Sequence, residues 1–343
     1  MSHSTAFVVS FSYHHYSVSI NYSSEITPPS PHITMDAHHL FRRLNENGDC
    51  TQATCPVSDS IYGYRPNLAA TLIFLILFAV SGIAYAVQGY LRPTTRFFTI
   101  VMVLGAISEV LGYVAKMLLW QNPFSNTGFK ATIVLLTFAP AFYAAGIYYT
   151  LKHICLTFGA SFSRLRPKWY TWIFISSDIF SILLQAVGGA VSSASPNLAV
   201  LSIGSDIMIA GLVTQVVTLV AFGILAADYA LRVYRNRAHL NPATAALRTS
   251  LRFRLFLAAL WIAYLGILVR CCYRVAELAG GWTGSNRILK EEGLFIGLDS
   301  VPVGIAAVVL NVWHPGWCFP REEEQREVNE KVEGEASDEE ARV

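Results

Sequence analysis

Seven continuous apolar stretches follow one another along the chain, over 68–88, 97–119, 130–151, 169–190, 204–227, 253–273 and 293–312. Each is long enough for a helix that crosses a bilayer, which takes about 20 residues. The runs lack the alternation of a barrel strand, and a helix satisfies its own backbone polar groups inside hydrocarbon. The predicted fold class is therefore all-α, an integral membrane bundle of seven transmembrane helices.

The polar regions divide the rest. Residues 1–60, rich in Ser, His, Tyr and Pro, are predicted to form a flexible tail, 61–317 the membrane domain, and 318–343 an acidic tail that opens with Glu322, Glu323, Glu324 and Glu327. Such a tail is too charged to bury a core and is expected to be disordered. The apolar run near Ala6 is too short, and lacks the basic flank, for a signal peptide. The first spanning helix should thus drive insertion.

Basic residues set the expected orientation. Lys152, Arg164, Arg166 and Lys168 lie between the third and fourth runs, and Arg232, Arg235, Arg237, Arg248, Arg252 and Arg254 between the fifth and sixth. Both loops are predicted to be cytoplasmic, with the N-terminus outside and the C-terminus inside. Against this stand Arg270, Arg274, Arg287 and Lys290, which that topology places around the outer loop after the sixth run.

Composition supports the membrane class. Of 343 residues 53% are hydrophobic and 14% charged, with a mean hydropathy of +0.43, whereas a soluble domain is about 25% charged. Six cysteines are too few for a disulfide scaffold. Cys50 and Cys55 stand close together in the expected oxidising exterior, where they either close a local disulfide or remain thiols. Cys318, near the cytoplasmic end of the last run, is expected to be an ordinary thiol rather than a palmitoylation site. Asn21-Tyr22-Ser23 is a glycosylation sequon if the tail is outside, and is lost from a chain started at Met35.

The candidate chemistry lies within the apolar runs. Glu109 interrupts the second run near its middle, where a charge costs at least about 2.5 kcal/mol. Gln185, Gln215 and Asp299 fall in the outer half or near the midplane of their helices, Arg270 near the outer end of the sixth, and Asp178 deeper in the fourth. Asp178 and Gln185 share a helix face, as do Glu109 and Tyr113. These polar residues are read as one layer contributed by five helices, either as a lipid-headgroup or proton pathway or as glue between helices. Lys116 reads as an anchor that snorkels to the interface. Gly293, Gly297, Ser300 and Gly304 form a stripe suited to close helix contact, and Pro302 and Pro140 can loosen the backbone beside Asp299 and Tyr143.

The ordered set Tyr62-Gly63-Tyr64-Arg65-Pro66-Asn67, Glu109-Val110-Leu111-Gly112-Tyr113, Ala139-Pro140-Ala141, Asp178 to Gln185 to Gly188-Gly189, Gln215, Arg270 and Arg274 with Glu277, Glu292 and Asp299, and His314-Pro315-Gly316 resembles the fungal RTA-like family. That family is linked to 7-aminocholesterol resistance and is also called the lipid-translocating exporter family. The resemblance covers about residues 60 to 317. It implies a plasma-membrane or endomembrane protein that exports lipids or sphingoid bases and confers resistance to membrane-active compounds. The longer, His-rich N-terminus and Lys116, where the family often has Arg, depart from the pattern.

The expected partners are membrane lipids and an amphipathic lipid substrate, with no cofactor, no nucleic acid and no metal. No G-x-x-x-x-G-K-[ST] loop is present to hold ATP phosphates. The competing class is a seven-helix receptor or stress sensor, which shares the architecture. A retinal protein is disfavoured by the absence of lysine from the seventh run. His153, His239 and His314 share the predicted cytoplasmic side but lack hydrolase spacing, so no enzyme is expected.

Overall fold

A computed structural model describes residues 55–159, 163–164, 167–194, 198–236, 245–281 and 286–319, together with the short pairing of Ser12–Tyr13 with Tyr16–Ser17. Cys50, the sequon at Asn21, His239 and the acidic tail lie outside the described residues. Seven helices are long and apolar enough to cross a membrane. They are α1 (Leu68–Leu91), α2 (Arg96–Gln121), α3 (Asn126–Phe158), α4 (Pro167–Ala194), α5 (Leu198–Arg235), α6 (Leu251–Ala279) and α7. The last runs from Glu292–Phe295 through a π-helical turn, Ile296–Ser300, into Val301–Val312. The chain is an integral membrane protein.

Local sequence fixes where these helices begin. The side chains of Asn67, Ser125 and Ser250 accept from the N–H groups of Ala70, Gly128 and Phe253, satisfying donors that a first helical turn leaves free. Hydropathy alone places the ends of α3, α5 and α6 too far inward. Mixed polar and apolar residues continue those helices beyond the predicted ends, and the 38 residues of α5 outreach the hydrocarbon layer.

Neighbours in sequence are neighbours in space, and α7 closes the ring on α1. The closure is polar. Tyr85 donates to the Ala307 carbonyl at 2.8 Å, Gln88 to the Asn311 carbonyl at 3.0 Å, and Asn311 to Ser81 Oγ at 2.6 Å. Helix α3 is the most buried of the seven and also reaches α6 across the interior. On α1 the exposed residues Ile73, Ile76, Val80, Ile83 and Val87 recur at helical spacing opposite the buried Phe74, Phe78 and Tyr85. This is the pattern of a helix with one face toward lipid.

Only the later half of the small-residue stripe of α7 packs inward, where Ser300 is buried and a Cβ at Gly304 would meet Phe74 of α1 at 3.5 Å. A Cβ added at Gly293 or Gly297 meets nothing within 4 Å, because that face is exposed. The tight approaches are elsewhere. A Cβ at Gly188 of α4 would fall 2.6 Å from the Gly204 carbonyl and the Met208 N–H of α5, and one at Gly266 of α6 would fall 2.6 Å from the Pro302 carbonyl.

Candidate functional site

Arg270, Arg274 and Glu277 follow at intervals of four and three residues, so α6 presents all three on one inward face. The Arg270 guanidinium joins four helices. It donates to Glu109 of α2 and to the Leu136 carbonyl of α3, and its Nε lies 3.2 Å from Asp299 Oδ1 of α7. Arg274 Nε approaches the same Asp299 oxygen at 2.6 Å, while its Nη1 donates to Glu277 Oε2 at 2.7 Å. All five side chains are buried.

Two irregularities of the backbone create this geometry. Proline at 140 has no N–H, so the carbonyl four residues earlier, at Leu136, loses its helical donor. Arg270 supplies the replacement. In α7 the π-helical turn contains Asp299 and Ser300 and ends at Val301, whose N–H reaches back five residues to the Ile296 carbonyl just before Pro302. Single π turns often occur at functional sites.

Polar capacity is left over beside the ions. Tyr113, one turn beyond Glu109, stacks on Phe74 and Phe78 with ring centroids 5.7 Å away in each case. Its hydroxyl stands beside Ser300, and the Tyr143 hydroxyl and Glu109 Oε2 are buried without hydrogen-bond partners. Among the described residues the network holds two arginines against the carboxylates of Glu109, Glu277 and Asp299. Lys116 and Glu292 at its edge add one charge of each sign. One carboxylate is therefore in excess, in surroundings where an uncompensated charge is strongly disfavoured.

Lys116 does not snorkel. It is buried, with Nζ 3.8 Å from Glu292 Oε1 and 3.5 Å from the centre of the Phe295 ring, so an acid and an aromatic face hold the ammonium. Glu292 also accepts the Asn67 N–H at 2.8 Å, tying the start of α1 to the start of α7. The segment before α1 covers this end of the network. Tyr62 packs edge-on against Phe129 at 5.1 Å, and burial, reinforced by the Glu277 carboxylate, pushes its hydroxyl well above the usual phenol range. Burial does the same to Tyr64, so both stay neutral hydrogen-bonding groups.

The expected single layer divides into separate groups. Glu109, Arg270 and Asp299 come together, with Tyr113 beside them. Gln185 and Gln215 instead pair across α4 and α5, Nε2 to Oε1 at 3.3 Å, with Ser181 also accepting from Gln185 at 3.2 Å. Asp178 shares the buried face of Gln185 and Ser181 but stands apart from both glutamines, beside the Tyr148 hydroxyl. Arg274 and Glu277 are inside α6 rather than in the loop after it. Their spacing from Arg270 continues the buried face of α6 and was the signal for the longer helix.

Cys55 is disulfide-bonded, and Cys155, Cys271, Cys272 and Cys318 are free thiols. No group of three or more potential metal ligands occurs among the described residues. His314 is buried and uses Nδ1 to accept the Gly316 N–H at 3.1 Å, a cap for the short helix Pro315–Cys318.

Comparison with known proteins places this architecture in a family. The model for RTA1 like proteins matches residues 102–322. The chain is 33% identical to the sphingoid long-chain base transporter RSB1 of Saccharomyces cerevisiae over 291 residues, covering 76% of this chain and 75% of that protein. It is 26% identical to Protein RTA1 of the same yeast over 279 residues, covering 74% and 84%. It is also 25% identical to that yeast's Protoporphyrin uptake protein 1 over 286 residues, covering 74% and 91%. The chain belongs to the RTA1-like family. No solved structure matches it.

Proposed function

We propose that this protein binds and moves an amphipathic lipid carrying a cationic headgroup, a sphingoid base being the nearest class, and thereby protects against membrane-active compounds. The observation that carries this reading is the excess carboxylate in the buried network of Glu109, Arg270, Arg274, Glu277 and Asp299. A primary ammonium group would balance it. The unpartnered Glu109 oxygen is an acceptor for one of its N–H groups, and the hydroxyls of Tyr113 and Ser300 have lone pairs for the others. Similarity to a sphingoid long-chain base transporter supports the same class of lipid.

In this reading a proton occupies the excess carboxylate when the lipid is absent, so movement is passive or exchanges lipid for proton. Asp178 and the Gln185–Gln215 pair line a second polar step across α4 and α5. The N-terminus lies outside and the protein resides in the plasma membrane. Burial of Arg270 and Arg274 supports that orientation, because it removes two basic residues from the outer loop and leaves Arg287 and Lys290 there. The protein acts as a carrier rather than an enzyme.

Reconstitution into liposomes tests the proposal with a labelled sphingoid base. Wild-type protein should move the label across the bilayer faster than protein-free liposomes do, and Glu109→Gln should fall toward that background. Wild-type and Glu109→Gln both matching protein-free liposomes would count against transport. A ligand-dependent change in cytoplasmic partners without flux would favour the receptor reading.

A further inference from the structure

A cavity lies away from the ion network. Helices α5 and α6 touch where Gly223 faces Tyr264, so closely that a Cβ on the glycine would sit 2.0 Å from the tyrosine oxygen. From that contact the helices part toward the end of α5 and the start of α6, with α3 behind them and the short helix Ala245–Thr249 at the mouth. The wedge has a volume of about 650 Å³, within the range of about 300–1,000 Å³ typical of small-molecule sites.

Its interior is apolar and its mouth is basic. Ile147, Leu151 and Phe222 wall the deep part. The tyrosine hydroxyls there are already committed, Tyr264 donating to the Leu219 carbonyl at 3.1 Å and Tyr229 to the Gly159 carbonyl at 3.3 Å. A chain of methylene groups fits such a lining better than water does. Arg248 and Arg254 line the mouth, and among the described lining residues none is acidic. Basic pockets between membrane helices hold anionic lipid headgroups, and Trp261 on the wall is half-exposed.

We propose that this wedge is a binding site for an anionic phospholipid, whose phosphate lies between Arg248 and Arg254 and whose acyl chain enters between α5 and α6. The charge at the mouth selects against the cationic lipid proposed for the buried network, so the two sites take different ligands. Equilibrium retention reads this site without any flux, and its outcome is independent of the transport assay.

Native mass spectrometry of the full chain, purified in micelles containing equal amounts of phosphatidic acid and phosphatidylcholine, provides the test. Wild-type protein should retain phosphatidic acid in preference, and Arg248→Gln with Arg254→Gln should reduce that retention by about tenfold, the loss of one charge-assisted contact or more. Arg235→Gln, at the exposed end of α5 but off the cavity wall, should leave retention unchanged. Ala226→Phe should fill the wedge and displace lipid of either kind. Equal retention of the two lipids would overturn the site, as would an Arg235→Gln loss equal to that of the double variant, or full retention in Ala226→Phe. If the double variant fails to fold, the exposed Arg254→Gln alone carries the comparison.

Discussion

Arg270 of α6 donates to the backbone carbonyl of Leu136 in α3, the carbonyl that Pro140 deprives of its helical partner. A side chain thereby completes the hydrogen bonding of another helix while it pairs Glu109 and Asp299. Removing Arg270 exposes three acceptors at once. Arg270→Gln should destabilise the protein by about 3–5 kcal/mol, the range for breaking a buried ion pair from one side. Arg270→Lys should rescue little, since an ammonium lacks the planar fork that serves three directions. Thermal unfolding of the purified variants in detergent checks both.

Lys116 and Glu292 should respond unequally. Losing Lys116 leaves Glu292 partly exposed and still accepting from Asn67. Losing the carboxylate leaves an ammonium buried over Phe295 without its nearest acid. Glu292→Gln should therefore lower stability by about 1–3 kcal/mol, and Lys116→Met by less. The reverse order in melting experiments would contradict the pairing described for the α2–α7 contact.

Adjacent glycines in α4 give a sharper contrast. Gly188→Ala places its methyl against the α5 backbone at 2.6 Å, whereas the nearest atom to a Cβ at Gly189 is 3.7 Å away. Gly188→Ala should cost about 1–3 kcal/mol through overpacking. Gly189→Ala should be neutral or mildly stabilising, because alanine favours helix. Expression level and melting temperature of the two variants separate these outcomes.

The Gln185–Gln215 contact should matter little for stability. A double-mutant cycle with leucine at both positions should give a coupling near about 0.6 kcal/mol, the average for hydrogen bonds between membrane helices. A coupling of several kcal/mol would mean that the pair holds α4 and α5 together.

Much of the architecture was legible because hydrocarbon imposes one period and one length on each helix. Glu109, Arg270 and Asp299 stood out for the same reason, as charges that hydrocarbon does not tolerate singly. Their grouping was less visible. Hydropathy ends α6 near residue 273 because Arg274 and Glu277 score as loop residues, although their spacing from Arg270 keeps them on its buried face. Lys116 looked like an anchor since a sequence does not show that Glu292 and Phe295, more than 170 positions away, stand beside it. The Leu136 carbonyl has no side-chain signature. Its only trace is Pro140, and nothing local names Arg270 as the donor.

In the proposed mechanism the buried network takes up one positive charge brought by a lipid. Glu109→Gln leaves two arginines facing two carboxylates, Asp299 and Glu277, so it balances the charge and should preserve folding. Equilibrium binding of a sphingoid base and of its N-acetylated, uncharged counterpart to wild-type and Glu109→Gln protein in micelles is the most direct measurement. Wild-type protein should bind the free amine at least about tenfold more tightly than the acetylated form, as expected for a buried charge-assisted contact, and Glu109→Gln should lose that preference while melting at or above the wild-type temperature. Equal affinity of wild-type protein for the two lipids, or a preference that survives Glu109→Gln, would contradict uptake of the charge at Glu109.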